Sequence, residues 1–277
     1  MKFFYALFLS LIVAGTAFAQ KKEKIRGSKT VTVIQRETGD FDNLEVEDNL
    51  EIFLVKGGTP GLEVEADDNL HEIIKTELNG TTLRIFTLKD ASSYRNLSIR
   101  VTYTDALKTV TARHETVLNA LAELTLNDIT IKTFDYTKAF LNVKAGNFSL
   151  IMNDKTKAEV NLQATSAVIE LSKNADIKAL IATPSLKFDM YQKTNAVIEG
   201  DAENAVLRID NNATFTGKKF TVKKMELTAE GYTDCSVMAT ENIIISASGK
   251  SSVQLLGNPK IEMKSFTENA SLYKKQQ

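Results

Sequence analysis

Short segments of similar pattern recur along this chain at steps of 18 and 19 residues, and that period limits the possible folds more than any other feature. Four segments compare directly: Val110 to Val117, Val143 to Leu150, Leu162 to Ile169 and Ile181 to Phe188. Each opens on an apolar residue, carries Ala or Thr two positions on, passes a small or polar stretch and reaches a second apolar residue at the seventh step. Leu227 to Cys235 and Ile245 to Val253 repeat the pattern with one extra residue and a Gly at the turn. The steps from 143 to 162, 162 to 181 and 227 to 245 are 19, 19 and 18 residues. A degenerate copy near Leu126 fills the gap before Val143. One near Ile209 follows Ile181 by 28 residues, which predicts a longer loop in that coil.

Between the copies lies alternation of the strand type, such as Val160-Asn161-Leu162-Gln163-Ala164 and Leu186-Lys187-Phe188-Asp189-Met190. A period of two places successive side chains on opposite faces of a strand. Leucine-rich repeats have a comparable period but require a Leu/Asn pattern that is absent here. A parallel β-helix fits: each coil is built of short strands, and equivalent strands stack at roughly 4.8 Å. The Ala and Thr positions, Ala164 and Ala247 among them, then read as inward corners with room only for small side chains. A β-sandwich with fortuitous spacing is the competing fold. Residues 41–106 keep the alternation without the period, as larger coils or an antiparallel cap. Within them Asp68 to Leu78 reads as one helical turn leading into a hairpin at Asn79-Gly80. The expected organisation is a signal peptide over 1–19, an N-terminal extension over 20–40, a parallel β-helix over 41–262 (regular over 107–262) and a tail over 263–277.

The first twenty residues read as an export signal. Lys2 supplies a positive start, Phe3 to Val13 an apolar run broken only by Ser10, and Ala17-Phe18-Ala19 a cleavage motif that leaves Gln20 as the new terminus. The run is shorter than the roughly 20 residues of a membrane-spanning helix. With no Cys following it, a bacterial lipid anchor is excluded at this site. No second long apolar stretch occurs, so the mature chain is expected in the periplasm, at the cell surface or secreted, without a membrane span. Lys plus Arg is 34 against 35 acids, which lacks the basic surplus of a nucleic-acid-binding domain.

Cys235 is the only cysteine, so stability must come from a core and not from disulfides. On an alternating strand between Thr233 and Val237, it reads as a small buried apolar residue. His71 and His114, the only histidines, lie 43 residues apart, which excludes metal motifs of short spacing. No metal, cofactor or catalytic residue is expected. Secreted β-helices often act on polysaccharides, and a hydrolase would need carboxylates held about 6.5–9.5 Å apart. The candidate acids are Asp67, Asp68, Asp189, Asp201, Glu203 and Asp210. Asp189, between inward Phe188 and Met190, is expected to face solvent, as is Asp210. The outward positions otherwise carry Lys, Glu, Thr, Ser and Asn with few aromatics. Tyr191 and Tyr232 fall at turns and could stack on a sugar or peptide. The basic stretches Lys21 to Arg26 and Lys274-Lys275 read as solvated ends.

Several pieces together resemble a known family: Phe41-Asp-Asn-Leu-Glu-Val, Leu62-Glu-Val-Glu-Ala-Asp, Asn79-Gly-Thr-Thr-Leu-Arg-Ile, Leu97-Ser-Ile-Arg-Val-Thr-Tyr and Ala247-Ser-Gly-Lys-Ser-Ser-Val-Gln-Leu. From about Phe41 to Lys260 the chain resembles the putative auto-transporter adhesin, head GIN domain family. The resemblance implies a right-handed parallel β-helix in the envelope of a Bacteroidetes-like bacterium and brings no catalytic residues with it. It differs from the name at Glu268 to Gln277, a short polar segment where an autotransporter would carry a membrane barrel. The expected function is that of an exported, non-catalytic envelope protein. It would bind or organise a surface polysaccharide or another envelope protein, at a site the sequence leaves unknown. The alternative is a polysaccharide lyase or hydrolase.

Overall fold

A computed structural model describes residues 22–275; the export signal lies outside the described residues. The first strands are β1 (Lys24–Arg26), β2 (Val31–Glu37), β3 (Asn43–Val46), β4 (Glu51–Lys56), β5 (Gly61–Asp67), β6 (Ile74–Asn79), β7 (Thr82–Thr87), β8 (Asp90–Ser92) and β9 (Leu97–Tyr103). β3 and β4 belong to one coil, and β7 and β9 stack on it in parallel, with Leu44 opposite Leu83 and Ile52 opposite Ile99. β5 runs antiparallel to both β2 and β9. β6 and β7 form an antiparallel hairpin closed by Gly80 at φ 61°. The helical turn is a single 3-10 turn at Asp68–Leu70, and the chain is extended again from Ile74. Residues 41–106 thus hold both coils and an antiparallel cap.

The regular part comprises β10 (Thr109–Ala112), β11 (Val117–Thr133), β12 (Lys138–Asn153), β13 (Lys157–Ser172), β14 (Asp176–Met190), β15 (Asn195–Ile209), β16 (Thr214–Ala229) and β17 (Asp234–Ala247). It closes with β18 (Ser252–Leu256), β19 (Lys260–Phe266) and β20 (Ser271–Lys274). All pair in parallel, and the whole is a β-solenoid of about nine turns. β10 and β11 land on the free sides of β3 and β4. The first coil in chain order is therefore sandwiched between two later ones, which is why the period fails there.

Inward residues stack by identity of position. Ile131, Leu150, Ile169, Phe188, Leu207, Leu227 and Ile245 form one such column. Val143, Leu162 and Ile181 form another, which continues through Gly200 to Phe220. Two expectations are corrected here. Val110, Leu227 and Ile245 belong to the first column, not to that of Val143. No longer loop precedes Ile209, because β15 keeps the 19-residue step. The missing apolar residue is Gly200, at φ +106°, where a Cβ would lie 2.1 Å from the Ile181 carbonyl oxygen.

Between coils the chain turns through paired left-handed residues: His114/Glu115, Asp135/Tyr136, Asp154/Lys155, Lys173/Asn174, Gln192/Lys193 and Asn211/Asn212. Backbone bonds link successive turns, as from Glu115 N to Asp135 O at 2.8 Å and from Asn174 N to Gln192 O at 3.0 Å. At the next two turns a single Gly takes over, where a Cβ on Gly249 would meet the Gly231 backbone at 2.8 Å, and at the turn after them Glu268 alone is left-handed at φ 59°. The residue after each turn points inward and is small: Thr137, Thr156, Ala175, Thr194, Ala213, Thr233 and Ser251, all buried. This column is the tight corner. Ala164 is also buried, beside Ala145, at a small position. Ala247 is not at a corner of that kind, since its column holds Met152, Leu171, Met190 and Ile209 and narrows only at Ala229 beside it.

The ends are built into the sheet. Residues 263–274, expected as part of a tail, instead contribute the end of β19 and all of β20, paired on β17 and β18. Lys22 is ion-paired to Asp48, and β1 pairs with β8, so the basic stretch at 22–26 is ordered. At the C-terminal end Ile261 and Met263 continue the columns of Ile243 and Ile245 while remaining 42% and 44% exposed.

Candidate binding face

The outward side of the first part of β11–β15 forms a long face marked by two hollows. One column runs Asn119, Phe140, Glu159, Lys178, Val197 from coil to coil. A second runs Asn142, Asn161, Leu180, Glu199. Leu121 stands beside them at the β11 bulge. Two adjoining hollows, of about 350 and 600 Å³, share Phe140, Glu159, Lys178 and Val197 as common walls. Leu121, Leu180 and Val197 are 67%, 52% and 41% exposed, and all three line the same hollow, so they form one apolar patch.

Polar ladders frame this apolar strip. Asn161 donates to Asn142 Oδ1 at 3.0 Å, and Asn195 donates to Asp176 Oδ1 at 2.8 Å. Lys219 pairs with Glu199 at 3.1 Å. Identical spacing of coils fixes these partners, because each outward residue has its equivalent one coil away. Amide groups bonded to one another keep remaining donors and acceptors for a ligand. The arrangement offers an aromatic edge, aliphatic patches, amides and both signs of charge. It suits contact with an extended amphipathic chain.

The candidate acids are dispersed. Asp67 is buried and accepts backbone bonds from Lys29, Arg95 and Asn96 at 2.8, 2.9 and 3.1 Å. Burial pushes its carboxyl up, but the amides of Asn96, Lys29 and Arg95 outweigh that and hold it below the usual range. Its role is to tie the start of the chain to the segment before β9. Asp189 corrects the expectation of a solvent-facing acid: it is outward but covered, ion-paired to Lys187 at 3.0 Å. It stands opposite Arg208 on the next coil. Glu203 pairs with Lys223 at 3.0 Å, and Asp210 accepts from the Asn211 backbone at 2.6 Å. Asp68 and Asp201 are exposed.

Cys235 is fully buried, and desolvation pushes its thiol up to about 12, as its strand position implied. Tyr191 and Tyr232 stand on different turns, beneath Arg208 at 5.7 Å and Lys250 at 5.0 Å. Neither lines the hollows. The sequence reading missed the face because it treated outward positions as polar. The signal was present in the apolar triplets Ala139-Phe140-Leu141, Ala179-Leu180-Ile181 and Ala196-Val197-Ile198, each of which puts an apolar residue outward in an alternating strand.

Residues 40–259 match the family model described as "Putative auto-transporter adhesin, head GIN domain". The chain belongs to this head GIN domain family. No curated protein matches it in sequence. Among solved structures it is similar to a putative adhesin from Parabacteroides distasonis, with TM-score 0.69 and 13% identity, over 91% of this chain and 100% of that one. A putative adhesin from Parabacteroides merdae gives TM-score 0.61 and 15% identity, over 91% and 98%. A putative lipid binding protein from Parabacteroides distasonis gives 0.61 and 17%, over 91% and 99%. At such identities these likenesses bear on the fold alone. No helix among the described residues is long and apolar enough to cross a membrane.

Proposed function

We propose that this head GIN domain protein is an exported, non-catalytic binding module of the cell envelope. Its ligand is an extended surface glycan lying along the face of β11–β15. One observation carries the reading: the two adjoining hollows joined at Phe140, Glu159, Lys178 and Val197, bordered by amide and charge ladders. Many weak contacts repeated from coil to coil add through effective concentration. The aromatic and aliphatic strip takes the apolar faces of sugar rings, and the asparagines take hydroxyls. Family membership and the apolar run before Gln20 support the envelope location. A catalytic site would instead gather a few groups with shifted pKa in one cleft. The six candidate acids are spread over separate partners.

The test is a glycan array run beside a product assay on the same polysaccharides, with and without calcium. Binding that is lost in Phe140→Ala with Leu180→Ala, without release of new chain ends, is the expected result. Release of reducing or unsaturated ends that stops in Asp189→Asn or Asp210→Asn would establish the polysaccharide lyase or hydrolase instead. Binding by the double variant at wild-type strength would move the ligand to another face.

A further inference from the structure

Where the irregular part meets the first regular coils, three consecutive turns bring together side chains that the proposed binding face does not use. Glu47 and Asp48 follow β3, His114 follows β10 and Asp135 follows β11. These strands lie side by side, with β10 between the other two. Asp48, His114 and Asp135 are all left-handed, at φ 74°, 51° and 52°. Their turns are bonded together from Asn49 N to His114 O at 2.7 Å and from Glu115 N to Asp135 O at 2.8 Å. The imidazole therefore sits between carboxylates: Nδ1 is 3.8 Å from Glu47 Oε2 and 3.8 Å from Asp48 Oδ1, and Nε2 is 3.7 Å from Asp135 Oδ2.

We propose that Glu47, Asp48 and His114 Nδ1 hold a divalent transition-metal cation, of which zinc is the best match. A fourth position opens to the adjoining cavity. The three ligand atoms lie within 4.8 Å of one another. The 3.8 Å separations from the ring nitrogen to the two carboxylates are too long for hydrogen bonds, which fall at about 2.7–3.2 Å. They are close to what a tetrahedral ion requires, since bonds of about 2.0–2.2 Å set neighbouring ligands roughly 3.4 Å apart. Closing the site takes side-chain rotation that draws the two carboxylates in about the imidazole, from separations within 4.8 Å.

The surroundings match a built site more closely than a chance grouping of acids. Asp48 Oδ2 is held by the Thr87 amide at 2.9 Å and by Lys22, which leaves Oδ1 toward the ring. Arg84 donates to Glu47 Oε2 at 3.4 Å, so that oxygen would bind the ion with its second lone pair or give way to Oε1. Asp135 faces the other ring nitrogen, the place where a metal-bound histidine usually donates its N–H to a carboxylate and so fixes its tautomer. Asp90 and Glu115 also line the cavity, of about 500 Å³. Five carboxylates thus stand against the Lys22 and Arg84 cations, a field that favours a cation. A set containing imidazole selects zinc or its neighbours over calcium and magnesium, which prefer oxygen ligands. A bound ion would clamp β3 of the irregular part to the regular coils.

The experiment is titration of zinc chloride into chelator-treated full-length mature protein by calorimetry, with thermal melts in parallel. One equivalent should bind and raise Tm. His114→Ala and Asp48→Asn should abolish both effects, and circular dichroism of the metal-free variants should match the wild type. Asp135→Asn, which touches only the second ring nitrogen, should weaken binding by about 10- to 100-fold. Asp154→Asn, on the next turn, should bind as the wild type does. Absence of stoichiometric zinc uptake, or unchanged uptake by His114→Ala, would overturn the site. Calcium or magnesium competing on equal terms with zinc would overturn the mixed-ligand assignment.

Discussion

Truncating Phe188 to Ala tests the stacked core at one of its largest members. The ring is fully buried in the column between Ile169 and Leu207, and it meets the edge of Phe215 at 5.7 Å and 77°. Loss of a buried Phe costs about 3–5 kcal/mol through lost transfer and the residual cavity. The aromatic pair accounts for about 0.5–1.5 kcal/mol of that, which should appear as the coupling in a cycle with Phe215→Ala. Unfolding entropy near 2.1 cal/mol/K per residue, over roughly 250 residues, is about 0.5 kcal/mol/K, so Tm should fall by about 6–10 °C. If coils unfold in smaller groups the drop is larger, since each group carries less entropy. The assay is thermal denaturation by circular dichroism with urea titration beside it. Tyr232→Ala, at a 59% exposed position, is the control and should lose no more than about 1 kcal/mol. A Phe188→Ala melt within 2 °C of the wild type would refute the inward placement and the column with it.

The two alanines separate real corners from permissive ones. Ala164→Leu should cost about 1–3 kcal/mol by overpacking, whereas Ala247→Leu, between Ala229 and the 39% exposed Phe266 in a column that elsewhere accepts Leu171 and Met190, should cost less; paired urea melts decide. The Asp67 carboxyl is depressed in the folded protein, so its contribution is full above the unfolded value of about 3.9 and is lost as pH falls through the folded value. Asp67→Asn should therefore lower Tm at pH 7, and the gap to wild type should narrow below about pH 4. Cys235, with its thiol at about 12, should resist a thiol reagent at pH 8 until denaturant is added; stoichiometric labelling of the native protein would place it outside the core.

Much of the fold was legible because parallel stacking writes itself into sequence. A residue and its equivalent one coil on share an environment, so Val143, Leu162 and Ile181 recur as apolar residues at equal steps. Reading failed where that environment was met without an apolar side chain. Gly200 fills its column with backbone alone, so the coil of β15 looked longer than it is. Two inward columns seven residues apart look alike in sequence, which let Val110 be matched with Val143 when its true partner is Ile131. The order of the first coils was illegible, since β3 and β4 acquire neighbours from both β7/β9 and β10/β11, and nothing local records that inversion. Candidate sites were least legible. The face of β11–β15 depends on which outward residues stack across five coils, and the cluster at His114 unites residues from turns far apart in the chain. The helical turn and hairpin at Asp68–Gly80, by contrast, rest on neighbouring residues and were readable.

Length dependence of binding tests the proposed use of the face most directly. The columns from Leu121 to Val197 cover five coils, so four spacings of roughly 4.8 Å give a contact of about 19 Å along the solenoid axis. Oligosaccharides of increasing length, cut from whichever polysaccharide the array selects, should be titrated by calorimetry against the wild type and against Phe140→Ala with Leu180→Ala. Affinity should rise with each added sugar until the oligomer spans that length and then level off, and the double variant should lose the rise. A monosaccharide or disaccharide binding as tightly as the longest oligomer, with the double variant unaffected, would contradict the account.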